Sequence, residues 1–251
     1  MTDTTRRLYL DLFEKVVTNV IYGDAPIPNV WVPEENFNPQ LRENGVDWPS
    51  VAHSMVGLKR IRNVRECLER VIADGVPGDF IETGVWRGGV CILARAVLRA
   101  HDVEDRRVWV ADSFEGIPDP GEDGHAMDKE MALHQRNDVL GVSMDTVRAN
   151  FARYDLLDDQ VRFLPGWFRD TLPTAPIEKL AVMRLDGDLY ESTMDALVNL
   201  YPKLSPGGFV IIDDYCIPAC RKAVEEFRDR EGITDPVEAI DDYSVYWRRA
   251  G

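Results

Sequence analysis

Two short stretches set carboxylates directly after apolar, β-prone runs. "MRLDGDLYEST" carries Asp186 and Asp188, and "VIIDDY" carries Asp213 and Asp214. If both runs are strands of one sheet, four carboxylates meet at one sheet edge. Packed anions repel and raise one another's pKa unless positive charge lies among them. A hard divalent cation with oxygen ligands is the natural remedy, and Mg²⁺ suits a site that keeps water or substrate in its shell. Such a cation can hold a substrate hydroxyl and lower its pKa, and a neighbouring carboxylate can then take the proton. Acids at such places also serve as helix caps and loop residues. Four of them in two matched places favour the cation.

A second group of residues points to a bound nucleoside. "FIETGVWRGG" ends an apparent strand with Glu82 and then spends Gly84, Gly88 and Gly89. Glycines there allow a tight turn and close approach of a ligand to the backbone. The pattern is not GxGxxG, and no GKS or GKT follows, which disfavours a dinucleotide fingerprint or a P-loop. "VWVADSF" ends the next strand in Asp112 and Ser113. An acid at that strand end can accept hydrogen bonds from two ribose hydroxyls. "FLPGWF" follows a third strand; Gly166 permits a turn, and Trp167 or Phe168 can stack on a base or pack in the core.

Elements that would position these residues can be read from periodicity. Residues 5–22 and 54–74 read as helices, separated by a long Pro-, Asn- and Gly-rich stretch at 23–50. Strands and helices then alternate: a strand at "GDFIETGV", a helix at 89–101, a strand at 107–114, a polar, irregular stretch at 115–142 and a helix at 143–155. Next come strands at "QVRFLP" and "KLAVMRL", a helix at 191–203, a strand at 207–215, a helix at 218–231 and a last short strand at "VYWRR". This alternation predicts an α/β fold, Rossmann-like, with a mostly parallel, doubly wound sheet. Ligands of such sheets bind beyond the carboxyl ends of the strands, where all these acids fall. Residues 1–75 are expected to form N-terminal helices and a substrate-covering lid, and 76–251 the core. The stretches 23–50 and 115–142 are too long for plain connections.

The chain's 251 residues, 45% of them hydrophobic, suit an α/β domain with a sizeable core. A formal charge of −15 argues against nucleic acid as a partner. No apolar run is long enough to span a bilayer, and the polar start lacks the features of a signal peptide; a cytoplasmic protein without membrane partners is expected. Cys67, Cys91, Cys216 and Cys220 form no CxxC pair and read as reduced structural thiols. His53 and His134 are isolated and are given no catalytic role.

The E-x-G-x-x-x-G-G stretch is similar to motif I of S-adenosylmethionine (SAM)-dependent methyltransferases, in which the glycine loop wraps the methionine portion. Glu82, Thr83, Gly84, Val85, Trp86, Arg87 and Gly88, with Asp112, Ser113, Gly166 and Trp167, are the cofactor-binding residues this implies. More specifically, "VIYGD", "VAHSMVGLKR", "ETGVWRGG", "VWVADSF", "LLDDQVRFLPGWF", "RLDGDLY", "SPGGFVIIDDYCIPACR" and "VYWRR" resemble the macrocin O-methyltransferase family along nearly the whole length. That family methylates sugar hydroxyls on macrolides and related antibiotics. The resemblance implies a class I SAM-dependent fold, a catalytic Mg²⁺ and a small glycosylated substrate. It implies a metal held by an Asp of the "DGD" segment together with Asp213 and Asp214. Likeness to catechol-type methyltransferases favours Asp186, while Asp188 is left as ligand, general base or both. By local match, Glu34, Trp48, Met55, Met131 and Leu133 would line the acceptor pocket. The chain departs from the macrolide enzymes at "DAPIPNVWVPE" and "NDVLGVSMDT", which bears on the acceptor and not on the chemistry. A homo-oligomer, dimer or higher, is expected. Two other readings are methylation of a small catechol or phenol, and non-catalytic binding of SAM or a nucleoside. The latter has no need of a carboxylate cluster.

Overall fold

Five apolar runs form the parallel centre of a sheet: β1 (Asp79–Thr83), β2 (Val108–Asp112), β3 (Val161–Pro165), β4 (Leu180–Leu185) and β5 (Leu204–Ile212). The computed structural model describes residues 1–29, 32–33 and 35–250. β4 is buried at every position, as a strand covered on both faces must be. Two further strands, β6 (Glu238–Ala239) and β7 (Val245–Arg248), complete the order β3-β2-β1-β4-β5-β7-β6, with β7 antiparallel to both β5 and β6. β6 was not foreseen; two exposed residues carry no pattern to read.

The helices are α1 (Asp3–Val17), α2 (Pro39–Glu43), α3 (Gly57–Ala73), α4 (Gly89–Ala100), α5 (Ala126–Met131), α6 (Asn137–Leu140), α7 (Met144–Arg153), α8 (Phe168–Thr171), α9 (Tyr190–Leu200) and α10 (Pro218–Glu231). α1 stops short of residue 22. Asn19 adopts a left-handed φ of 51° just past the helix end, and the Thr18 hydroxyl turns back to Glu14 O. The stretch 115–142, read as irregular, holds α5, a 3₁₀ turn at Leu133–Arg136 and α6. These pieces are too short to show periodicity.

Both sheet faces are covered. On one, Leu10 and Phe13 of α1, Ile61 and Leu68 of α3 and Ile92 and Val97 of α4 pack with Phe80 and Val110. On the other, Leu197 of α9 and Val224 and Phe227 of α10 pack with Ile81, Met183 and Trp247. The helices of residues 1–75 therefore contribute to the same core as the sheet. The stretch between them is ordered around Arg42, a wholly buried cation. Its guanidinium reaches Asp24 at 2.7 Å, Asp47 at 2.8 Å and Thr18 O at 3.0 Å. Among the described residues no helix is long and apolar enough to cross a membrane.

Register decides what the sheet presents. Thr83 lies beside Ala111 and Leu185, and Leu185 beside Ile212. The residues that follow, Gly84, Asp112, Asp186 and Asp213, therefore share one edge. The chain order reverses between β1 and β4, and that is where a crevice opens.

Candidate active site

A cavity of about 300 Å³ lies over this edge. Its floor is Glu82, Gly84, Asp112, Asp186, Asp188, Asp213 and Asp214; Trp48 and Met55 wall it from the N-terminal side, and Ile117, Pro118 and Leu133 from the 115–142 stretch.

Three of the four strand-end acids converge. Asp186, Asp188 and Asp214 each offer an oxygen within 4.8 Å of the others. Asp188 turns with a φ of 56°, and its backbone N–H donates to the Asp214 carboxylate at 2.9 Å. Burial, then repulsion from Asp213, pushes the Asp186 carboxyl up to about 6, against the pull of Arg184. Burial, then repulsion from Asp186 and Asp213, pushes Asp188 up to about 7. Asp214 is driven upward by burial and by all three neighbours. Adjacent anions that raise one another's pKa, with oxygen donors only, are the setting a hard dication stabilises, so the donor set fits Mg²⁺.

Asp213 behaves differently from the metal-ligand expectation. It meets Arg184 and, at 2.7 Å, Arg60. Although burial raises its pKa, the two guanidinium groups outweigh that and hold it below the usual carboxylate range. The cluster here is thus Asp186, Asp188 and Asp214, with Asp213 turned into an ion-pair network. That network continues from Arg184 to Glu82 and Asp186, and from Arg60 to Asp241 at 2.9 Å. Arg60 and Arg184 were not singled out from the sequence. A charged residue inside the apolar run "LAVMRL" was the available signal, because a buried strand cation needs buried partners.

The glycine loop is built differently from expectation. Gly84 has a φ of +84°, and a Cβ there would lie 1.8 Å from Asp186 O. The glycine is required by the close approach of β4, not only by a ligand. At Gly88 a Cβ would meet Val147 at 2.8 Å, and at Gly89 His53 O at 2.4 Å. Gly84, Val85 and Trp86 line the cavity; Thr83, Arg87 and Gly88 do not. The Thr83 side chain is buried. The Arg87 guanidinium turns away to Pro49 O and Ala52 O, at 3.1 and 2.9 Å. Glu82 lies at the base, held by Arg184 and by the Cys91 thiol at 2.9 Å; burial, only partly offset by Arg184, pushes its carboxyl up to about 7.

Asp112 and Ser113 line the cavity. Asp112 also closes the loop: one oxygen accepts from Val85 N and the other from Phe114 N, each at 2.7 Å. A carboxylate has about four acceptor sites, so this leaves capacity for a ligand. Gly166, φ +129°, donates its N–H to Asp112 O and does not line the cavity, whereas Trp167 does. Of the residues named by local match, Trp48, Met55 and Leu133 line the cavity, and Met131, the last residue of α5, does not. Glu34 lies outside the described residues. His53 pairs with Tyr154 Oη at 2.7 Å, and Cys216 is exposed where the other three cysteines are buried.

Known proteins are similar to this chain over nearly its whole length. The family model for Macrocin-O-methyltransferase (TylF) matches residues 27–249. A relative from Streptomyces olivaceus, 8-demethyl-8-(2,3-dimethoxy-alpha-L-rhamnosyl)-tetracenomycin-C 4'-O-methyltransferase, is 65% identical, covering 99% of this chain and 95% of its own. Mycinamicin III 3''-O-methyltransferase from Micromonospora griseorubida is 60% identical, over 97% of this chain and 96% of its own. The solved structure of the O-methyltransferase NovP superposes with a TM-score of 0.94 at 59% identity, covering 98% of this chain and all of that one.

Proposed function

This chain belongs to the macrocin-O-methyltransferase family and is an O-methyltransferase, and we propose that it methylates a sugar hydroxyl of a glycosylated natural product. The methyl donor is S-adenosylmethionine, and Mg²⁺ is required. The observation that carries the reading is the Asp186–Asp188–Asp214 cluster, set beside the glycine loop in one cavity.

In this reading the loop Gly84–Trp86 holds the methionine portion of the cofactor, Asp112 and Ser113 the ribose, and Trp167 the adenine. Asp186, Asp188 and Asp214 would hold the cation. When bound, it supplies positive charge that favours ionisation of the acceptor hydroxyl. Arg184 and Arg60 keep Asp213 ionised and Asp186 oriented. Asp188, whose carboxylate lies in the same cluster, takes the hydroxyl proton. The acceptor oxygen then forms a bond to the methyl carbon as the carbon–sulfur bond breaks, leaving S-adenosylhomocysteine. Alignment of oxygen, carbon and sulfur is the chain's main contribution. Trp48, Met55 and Leu133 cover the apolar faces of the acceptor. The reading includes self-association, supported by an uncovered apolar stripe on α1, where Leu8 is 63% and Leu12 55% exposed.

Transfer of a tritiated methyl group to mycinamicin III, to the tetracenomycin glycoside and to the corresponding free sugars tests this, with and without EDTA. Transfer to at least one glycoside, abolished by EDTA and restored by Mg²⁺, is the expected result. In Asp188→Asn, kcat should fall by about 10²–10⁴ with unchanged S-adenosylhomocysteine affinity. Full activity in chelator would remove the cation from the reaction.

A further inference from the structure

The wall formed by 115–142 is mostly polar and partly exposed. Among the described residues of that stretch, Asp128 alone is fully buried, at 1% exposure. One of its oxygens accepts from Tyr190 N at 2.7 Å, and the other from Glu191 N at 3.1 Å. These are first-turn amides of α9, which have no partner within their own helix, and the helix dipole favours an anion there. α9 has no side-chain cap of its own, because Leu189 holds the cap position. The cap arrives instead from a segment 62 residues earlier in the chain.

Other contacts secure the same joint. The His125 ring stacks on Tyr190, with centroids 4.0 Å apart and planes 12° from parallel, and His125 N donates to the Glu191 carboxylate at 2.9 Å. Near the other end of the stretch, the Trp86 indole N–H donates to Val139 O at 3.0 Å.

Tyr190 is two residues past Asp188, which sits in a left-handed turn with a φ of 56°, a conformation uncommon outside glycine but open to Asp. Asp214 holds the Asp188 amide, and Asp128 holds the two amides just beyond it. We propose that Asp128 is a positioning residue. By capping α9 it fixes the turn that carries Asp186 and Asp188, and it pins the acceptor-side wall to that turn. This rests on the reading of Asp188 as the proton acceptor. Wall and base are then built as one unit. The cofactor loop is also held by β2, through Gly84 N to Ala111 O and Val85 N to the Asp112 carboxylate, so loosening the joint costs turnover more than cofactor affinity.

Asp128→Ala, Asp128→Asn and the unaltered protein are compared in three measurements. These are hydrogen–deuterium exchange over 115–142 and 186–195, calorimetric affinity for S-adenosylhomocysteine, and kcat and KM with a glycoside that accepts methyl in the transfer assay. In Asp128→Ala, exchange should accelerate in both segments by about tenfold or more. kcat should fall by about tenfold to a hundredfold, with S-adenosylhomocysteine affinity unchanged. Asp128→Asn keeps one carbonyl acceptor and should recover part of the rate; it also carries the comparison if the Ala variant does not fold. Unchanged exchange at 186–195 would overturn the joint. Faster exchange with unaltered kcat would overturn the positioning role. A parallel loss of cofactor affinity and thermal midpoint, without rescue by Asn, would make Asp128 merely structural. If the unaltered protein transfers methyl to no glycoside, the functional reading fails, and exchange still decides whether the joint exists.

Discussion

Arg184 sets the charge balance of the site. Its guanidinium is wholly buried in β4 among Glu82, Asp186 and Asp213. Burial would favour losing its charge, but the carboxylates, Asp213 foremost, hold its pKa well above the usual arginine value. Replacing a buried pair by apolar groups can be neutral, whereas removing one partner leaves uncompensated charge. Arg184→Met leaves three carboxylates around an apolar side chain. The expected cost is about 3–5 kcal/mol, read as a lower urea midpoint with an unchanged slope. Stability within about 1 kcal/mol of the unaltered protein would mean that solvent or protonation replaces the guanidinium. Gly84 is the other residue on which the edge depends. A Cβ there meets backbone, Asp186 O at 1.8 Å, and not the end of a flexible side chain. Gly84→Ala should therefore destabilise by more than about 2 kcal/mol, measured by thermal or urea unfolding. A soluble variant with an unchanged midpoint would show that β1 and β4 can separate at no cost.

At the scale of elements, the segment between α1 and α3 is held by charge more than by apolar packing, so acid should loosen it. Burial raises the Asp24 pKa, but hydrogen bonds from Arg42, Val51 N and Asn19, with the Arg42 charge, bring it down to about 2 from an ordinary 3.8. The stability this contributes is complete above about pH 4 and is lost as pH falls through about 2. His53, on the same side of the molecule, is pushed down to about 4 from 6.5, first by burial and then by Arg153 and Arg87. Because the unfolded chain protonates this His first, stability declines as pH falls from 6.5 towards 4. Two successive losses are expected in an acid titration followed by hydrogen exchange over 18–56. In Asp24→Asn the lower step should vanish while the upper one persists. A single step shared by both proteins would refute the assignment.

At the scale of the whole molecule, α1 turns one face to the core and leaves another uncovered. Leu10, Phe13 and Val17 are buried, while Leu8, Leu12 and Val16 lie one helical turn apart at 63%, 55% and 39% exposure. In the proposed self-association this stripe would meet its own copy about a two-fold axis, each partner presenting the same patch. Leu12→Arg should convert an oligomer into smaller species on a sizing column with light scattering. Its unfolding midpoint at low concentration should be unaltered, because the substituted side chain is exposed. An unaltered protein that is monomeric at every concentration would remove self-association.

Much of this molecule is determined by local sequence. Alternation of apolar runs with amphipathic segments dictates a parallel sheet, because strands buried on both faces must be apolar throughout. An acid directly after such a run falls at a strand end, so Asp112, Asp186, Asp213 and Asp214 are legible as one edge from the sequence. Tertiary structure alone decided which of those acids converge. Asp213 leaves the cluster because Arg60, on a helix 153 residues earlier, reaches it together with Arg184, and no spacing in the sequence encodes that meeting. Asp188 enters the cluster because its left-handed turn points it back at Asp214. Gly84 is needed for a carbonyl on another strand, and Asp128 for a helix that lacks its own cap. In each case the partner is remote in sequence, and only the packed fold brings the two together.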